Sequence, residues 1–362
     1  MWRGGRRSAC DARGCGFDSR LGTNVCTIYK YLFRVFWVFA IYIIKISIYV
    51  ISKIYLKQLF SYYLGPEYWG ERYRECAGKH QSPININVLR VKQVTLPDLV
   101  LVGFDDSIDD VHVTNNGHTV LIEVKNEPHP RVRGGPLDGD YIFSQMHFHW
   151  GDNDTFGSED KINHRSFPME LHMVFFKEEY KSATEAVKHS DGLTVLAFFY
   201  ELDRHQHPAY DDITSALVNV TEPHTSVVMS HPFSFLNILP YDLKRYFTYK
   251  GSLTTPPCSE VVIWLDFEQP IRLTHEQIEA FREIRSSHGK ITHNFRPIQP
   301  IGDRVVFYNI DSNYYVYNEI EEHEETTTLR PSRSKKGRNN AHSTVPTVLC
   351  TISFTLMILF SL

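Results

Sequence analysis

The sequence predicts a mostly-β (α+β) fold in a single domain spanning about 63–310. Short runs of strand type recur through this middle, separated by Gly, Pro, Asn and Asp. Helical signals are few and short, and no internal repeat is visible. The composition, 42% hydrophobic with 13% aromatic, supports a sizeable core, and 362 residues can hold one large domain or two smaller ones. A net charge of −4 gives no basis for a nucleic-acid partner.

Taken in order, the strand-type runs are 111–113, 119–124, 141–150, 171–176, 193–200, 261–267 and 305–308. The first two flank Asn115-Asn116-Gly117, a turn signal. The run 141–150 is rich in aromatic residues, which favour a pleated, half-buried surface. Residues 183–189 form a short helical signal. Residues 274–285 form the clearest one, with Thr274 as N-cap and Glu276 in the first turn.

Two of these runs carry a histidine constellation. Side chains alternate faces along a strand, so Gln145, His147 and His149 share one face, with Met146, Phe148 and Trp150 on the other. In the same way Glu170 and His172 oppose Met169, Leu171 and Met173. Antiparallel pairing would bring three imidazoles to one point beside a carboxylate and an amide. Three neutral nitrogen ligands with a fourth position open are the pattern of a catalytic zinc site rather than a closed structural one. The pair alone is weak evidence, because 18 histidines give a His-x-His about once by chance. His205 and His207 repeat the pattern in a polar loop, where no metal site is expected. The competing reading of 147 and 149 is two core histidines bonded to backbone.

The ends differ from the middle. Residues 28–60 are apolar and aromatic but carry Arg34, Lys45, Lys53 and Lys57. The uncharged stretch 35–44 is short for a membrane span and suits a signal peptide or signal anchor. Residues 1–62 are therefore an N-terminal extension, of which 1–27 resemble neither a domain nor a usual signal. Residues 311–341 read as a polar stalk. Residues 342–362 combine a spacer with an apolar tail; following Asn339, Asn340 and Ala341, they match a cleaved lipid-anchor signal. A terminal membrane helix is the alternative. Two sequons, at Asn153 and Asn219, agree with secretion. Cys76 and Cys258 are the domain's cysteines. They suggest one bridge in an oxidising compartment, two buried thiols being the other reading.

Seven blocks, in order, resemble the α-class carbonic anhydrases. They are Gly65-Pro-Glu-Tyr-Trp69, Gln81-Ser-Pro-Ile-Asn-Ile86, Asn115-Asn-Gly-His118, residues 145–151, Glu170-Leu-His172, Gly251-Ser-Leu-Thr-Thr-Pro-Pro257 and Asn294-Phe-Arg-Pro297. The resemblance runs from about 63 to 310. It implies a large twisted, mostly antiparallel central sheet with short peripheral helices, and a metal at the bottom of a cleft. It also implies Zn2+ as cofactor and reversible hydration of carbon dioxide to bicarbonate and a proton, by attack of zinc-bound hydroxide. His147, His149 and His172 match the zinc ligands, and Gln145, Glu170 and Asn294 match the groups that orient them. Thr254 matches the hydroxyl that holds the attacking solvent, Glu159 its acceptor, and Thr255 its neighbour. His118 matches the proton shuttle. Val174, Val195, Leu253 and Trp264 match the apolar pocket. The cysteine pair resembles the disulfide of the extracellular members, which favours an anchored or secreted protein at the outer cell surface. Inhibition by sulfonamides is expected.

Three departures qualify the resemblance, the first being a shortened segment 60–65 in which either Tyr62 or Tyr63 takes the place of the family's tyrosine near the cleft mouth. Asp160 stands where the family usually has a histidine, adding a carboxylate beside Glu159 and Glu170. Leu121 replaces a usually polar residue on the cleft wall. The alternative function is a weak or inactive family member acting as a binding module.

Overall fold

Every strand-type run becomes part of one twelve-stranded sheet. The structure, a computed structural model, describes residues 65–310. The principal strands are β1 (Lys92–Val94), β2 (Val111–Asn115), β3 (Val120–Val124), β4 (Tyr141–Trp150), β5 (Met169–Lys177), β6 (Leu193–Leu202), β7 (Thr225–Val228), β8 (Tyr246–Gly251), β9 (Val262–Leu273) and β10 (Phe307–Asn309). Across the sheet they run β7-β2-β3-β4-β5-β6-β9-β8-β10-β1. Val100–Val102 and Arg131–Arg133 attach beside β4.

Two pairings, β6 with β9 and β10 with β1, are parallel, and the others in this sheet are antiparallel. The sheet is therefore mixed and predominantly antiparallel, as the resemblance implied. The parallel pair β6–β9 needs a long crossover. That crossover contains helix α1 (Asp211–Asn219), β7 and β8. The helical signal at 274–285 resolves into α2 (His275–Arg282). Thr274 caps it with Glu276 in the first turn, as expected, and Gln277 completes a capping box. The signal at 183–189 shortens to Ala183–Ala186, capped by Ser182.

The period-two alternation sorts the two faces. Met146, Phe148 and Trp150 join Leu171, Met173, Phe175, Leu196, Phe198, Leu265 and Phe267 in the larger core. On the opposite face Val174, Val195, Ala197, Val262 and Trp264 form a smaller core with Phe247 and Tyr249. Fully burying such a side chain contributes about 1.5–3 kcal/mol. The larger core thus backs one face of the sheet, and the opposite face carries polar groups beside the smaller core.

Cys76 and Cys258 are joined in a disulfide, which settles the two readings left open by the sequence. Among the described residues no helix is long and apolar enough to cross a membrane. The signal anchor, stalk and lipid-anchor expectations fall outside the described residues.

Candidate metal centre

β4 and β5 pair antiparallel, with His147 directly opposite His172 and His149 opposite Glu170. Directly opposed residues bring their side chains together on one face. The three imidazole centroids lie 5.0, 5.3 and 4.5 Å apart. One nitrogen from each falls within 4.8 Å of the others. His149 and His172 are buried and His147 is half-buried.

Each ring is pinned through its outward nitrogen. His147 Nδ1 donates to Gln145 Oε1 at 2.9 Å, and His149 Nδ1 to the Asn294 carbonyl at 2.9 Å. His172 Nε2 donates to Glu170 Oε1 at 2.7 Å. With the outward protons committed, the inward nitrogens are bare lone pairs. His149 Nε2 and His172 Nδ1 face each other at 3.1 Å. Burial holds His147 and His172 well below the ordinary imidazole value, and the neighbouring imidazoles add to this. The rings are therefore neutral ligands, and their mutual lone-pair repulsion is relieved by a cation between them. Zinc suits a donor set of three neutral imidazoles with one side open.

A fully buried carboxylate stands beside the inward nitrogens. Glu159 Oε2 lies 3.5 Å from His149 Nε2 and has no well-formed hydrogen bond of its own. Oε1 accepts from the Arg296 backbone N–H at 2.7 Å. Burial raises the Glu159 carboxyl, while His149, the Arg296 N–H and the Thr254 hydroxyl oppose the rise. Thr254 is buried and Thr255 exposed, on the turn that follows β8. The Trp264 indole N–H donates to the Ser252 carbonyl at 3.2 Å, which fixes the start of that turn.

The apolar residues expected in the pocket are brought together. Val174 pairs with Val195, and Val195 with Trp264, across three adjacent strands. The Trp264 ring meets His172 edge-on at 4.9 Å, and half-buried Leu253 packs against the same cluster. Leu121 pairs with His147, so the apolar replacement does lie beside the site. His118 is exposed on the β2–β3 turn. Its carbonyl accepts from Asn294 Nδ2 at 3.1 Å, so one side chain links the turn to a metal-facing strand. The loop histidine His205 bonds to Asp203 and takes no part in this site.

Behind the centre lies more acid than a reading of the site residues anticipates. Asp160 accepts from the Ile84 N–H at 2.6 Å and from the Tyr249 hydroxyl, and its own N–H donates to Glu170 Oε2. Asp266, missed by sequence reasoning, sits in the same row as His172 and Ala197 and is fully buried. Both its carboxylate oxygens lack a hydrogen-bond partner. Burial and then Asp160 push Asp266 well above the usual carboxylate range, and burial with Asp266 and Glu159 does the same to Glu170. The signal for Asp266 is present in the sequence. In 261–267 it is the sole charged residue, and alternation puts it on the face of Trp264.

A mixed sheet presenting three pinned imidazoles, with an acid, a hydroxyl and an apolar wall around the open side, defines a metal-dependent enzyme for a small substrate. The family described as eukaryotic-type carbonic anhydrase matches residues 64–310. Similar relatives include carbonic anhydrase 7 of Mus musculus, 39% identical over 67% of this chain and 93% of the relative. Carbonic anhydrase 6 of Mus musculus is 33% identical over 77% and 90%. Carbonic anhydrase 4 of Oryctolagus cuniculus is 35% identical over 67% and 79%. The chain belongs to the eukaryotic-type carbonic anhydrase family, whose activity is the hydration of carbon dioxide.

Proposed function

We propose that this protein hydrates carbon dioxide reversibly to bicarbonate and a proton, with one zinc ion held by His147, His149 and His172. The observation that carries this reading is the convergence of three bare ring nitrogens, each fixed from behind. Zinc held by neutral imidazoles keeps its full charge and, when bound, supplies a Lewis acid that lowers the pKa of coordinated water to about 7. Gln145, Glu170 and the Asn294 carbonyl hold the ring tautomers. The Thr254 hydroxyl donates a hydrogen bond to Glu159, keeping its proton, and is thereby left to accept one from solvent held at the metal, which would turn that solvent's lone pair toward the substrate. Val174, Val195, Leu253 and Trp264 offer a small apolar substrate a wall without competing hydrogen bonds. A ring nitrogen of His118 accepts the product proton at the water-facing turn, where an imidazole can take up and release it near neutral pH.

We place the protein outside the cell, with 63–310 as the catalytic domain, a signal peptide or signal anchor within 1–62 and a lipid-anchor signal within 342–362. The Cys76–Cys258 disulfide supports an oxidising compartment. The sequon residues Asn153 and Asn219 are both exposed, as acceptors of a glycan must be. Digestion with a glycosidase specific for N-linked glycans should lower the apparent mass, and substituting both asparagines with glutamine should abolish that shift.

The deciding test is stopped-flow carbon dioxide hydration on purified protein of measured zinc content, with and without an aromatic sulfonamide. One zinc per chain and sulfonamide-sensitive hydration are expected. One zinc per chain with no hydration would sink this reading in favour of an inactive binding module.

A further inference from the structure

The β2–β3 turn that carries His118 is more firmly held than an exposed turn requires. Asn115 Oδ1 accepts from the Gly117 N–H at 2.8 Å, and Asn116 Oδ1 accepts from the His118 and Thr119 N–H groups at 2.9 Å. Fully buried Asn115 also donates to the Thr221 carbonyl at 3.1 Å and the Arg285 carbonyl at 2.9 Å. Two other segments, at Thr221 and Arg285, therefore meet behind this turn.

One of them delivers a second imidazole. The His224 N–H donates to the Asn115 carbonyl at 2.7 Å, extending the β7–β2 ladder to the edge of the turn. His224 holds φ at 62°, a left-handed conformation that is uncommon for a residue with a side chain. Such a conformation persists only where its surroundings enforce it. Its effect is to lay the ring over Gly117: a Cβ there would come within 3.3 Å of His224 Cε1 and 3.7 Å of Nε2. Glycine, at φ 88°, suits this position: it takes the left-handed backbone without strain and puts no Cβ against the ring. Both His118 and His224 are exposed.

We infer that His224 is a second proton carrier, which takes the proton from His118 and releases it to solvent. This rests on the proposed function, in which His118 receives the product proton. The transfer balances simply. A ring nitrogen of protonated His118 gives its proton to a neutral ring nitrogen of His224; His118 returns to the neutral form and no electrons are exchanged. The two rings do not hold charge independently. Burial first, and His224 second, lower the proton affinity of His118, so a proton on one ring disfavours a proton on the other. The other charged groups on the flanking segments are already engaged. Glu222 pairs with Arg285 at 3.4 Å, and His293, next to Asn294, bonds to Thr292 and packs edge-on against Phe295. His224 is therefore the imidazole of this corner placed to continue the route.

A double-mutant cycle tests the assignment, using His224→Asn, His118→Ala and the two combined. Asparagine is chosen because it tolerates the left-handed backbone. Steady-state hydration is measured in dilute and concentrated buffer. In dilute buffer His224→Asn should lower kcat by about two- to tenfold, with a smaller change in kcat/KM, because proton release follows the chemical step. Added imidazole should restore the loss. In the His118→Ala background the same substitution should have little further effect, since the carrier that feeds it is gone. The His118 ring resonance, followed by NMR, should titrate at a higher pH once His224 is removed. An unchanged kcat in dilute buffer would overturn the inference. So would a loss of equal size with and without His118, or an unmoved His118 titration. Failure of the underlying reading is distinguishable: the unsubstituted protein would then be inactive even in concentrated buffer.

Discussion

At the residue scale, the three metal-facing rings are held by three different acceptors: an amide, a main-chain carbonyl and a carboxylate. They should therefore respond unequally to substitution. Gln145→Ala leaves His147 in place but frees its tautomer, and should weaken zinc binding by about 10- to 100-fold. His147→Ala removes a ligand and should leave the purified protein without stoichiometric zinc. Titration against a chromophoric chelator measures both, and equal affinities for Gln145→Ala and the unsubstituted protein would show that the amide does not orient the ring. Thr254→Val tests a different link. It preserves the volume of a buried side chain and removes the hydroxyl that acts on Glu159. Zinc content should stay intact while kcat/KM falls by about 100-fold, the scale of a misplaced reactant. Parallel loss of zinc would mean instead that Thr254 supports the fold of the centre.

At the element scale, alternation made most of this legible. The run 141–150 matches its strand end to end, and a two-residue period holds on either side of a bulge between Phe143 and Gln145, which switches the residues facing the larger core from Tyr141 and Phe143 to Met146, Phe148 and Trp150. The same period puts Gln145, His147 and His149 on one face without any knowledge of the fold. Other elements gave little signal. β8 is buried at five of its six positions, so it shows no alternation to read. The run at 261–267 continues through Pro270 to Leu273 only because the pairing with β6 shifts register near its end. Asp266 was visible as a charge in an apolar strand, but its environment was not, since Asp160 comes from a distant segment. This pair gives the sheet a pH dependence. The folded carboxyl of Asp266 holds its proton to higher pH than the unfolded chain does. Its contribution to stability is therefore complete below about pH 3.9, the ordinary aspartate value, and is lost as pH rises toward the folded value. Asp266→Val should raise the unfolding free energy at pH 7–8 by about 1–3 kcal/mol, the scale of an unsatisfied buried group. The gain should shrink toward pH 4. Urea melts across this range check it, and a gain that grows on acidification would contradict the sign.

At the scale of the whole molecule, the segment before β1 is tied to the residue that holds Glu159. The buried Arg296 guanidinium donates to Gln81 Oε1 and to the Ser82 and Cys76 carbonyls, and lies 5.5 Å from the Trp69 ring. The same residue's backbone N–H holds Glu159. The disulfide fastens this assembly at its other end. Cys258 lies four residues beyond Thr254, and its N–H donates to the Thr255 carbonyl at 2.9 Å. The bond therefore ties the segment before β1 to the turn that carries Thr254. The loop it closes spans 182 residues. On the chain-entropy account, its removal should cost up to about 5 kcal/mol. Cys76→Ser with Cys258→Ser should show that loss in urea unfolding, compared with the intact protein under oxidising conditions. The activity consequence should come earlier than unfolding. With the tether cut, the 251–258 turn is held mainly by the Trp264 indole and the Ser82–Ser252 hydrogen bonds, so Thr254 loses precision before the sheet loses order. In moderate urea the double variant should lose hydration activity at a lower concentration than it loses its sheet signal in far-ultraviolet circular dichroism. Zinc should remain bound across that gap, since β4 and β5 stay paired. Coincident loss of activity, zinc and sheet signal would show that the bridge stabilises the domain as a whole and does nothing particular for the turn.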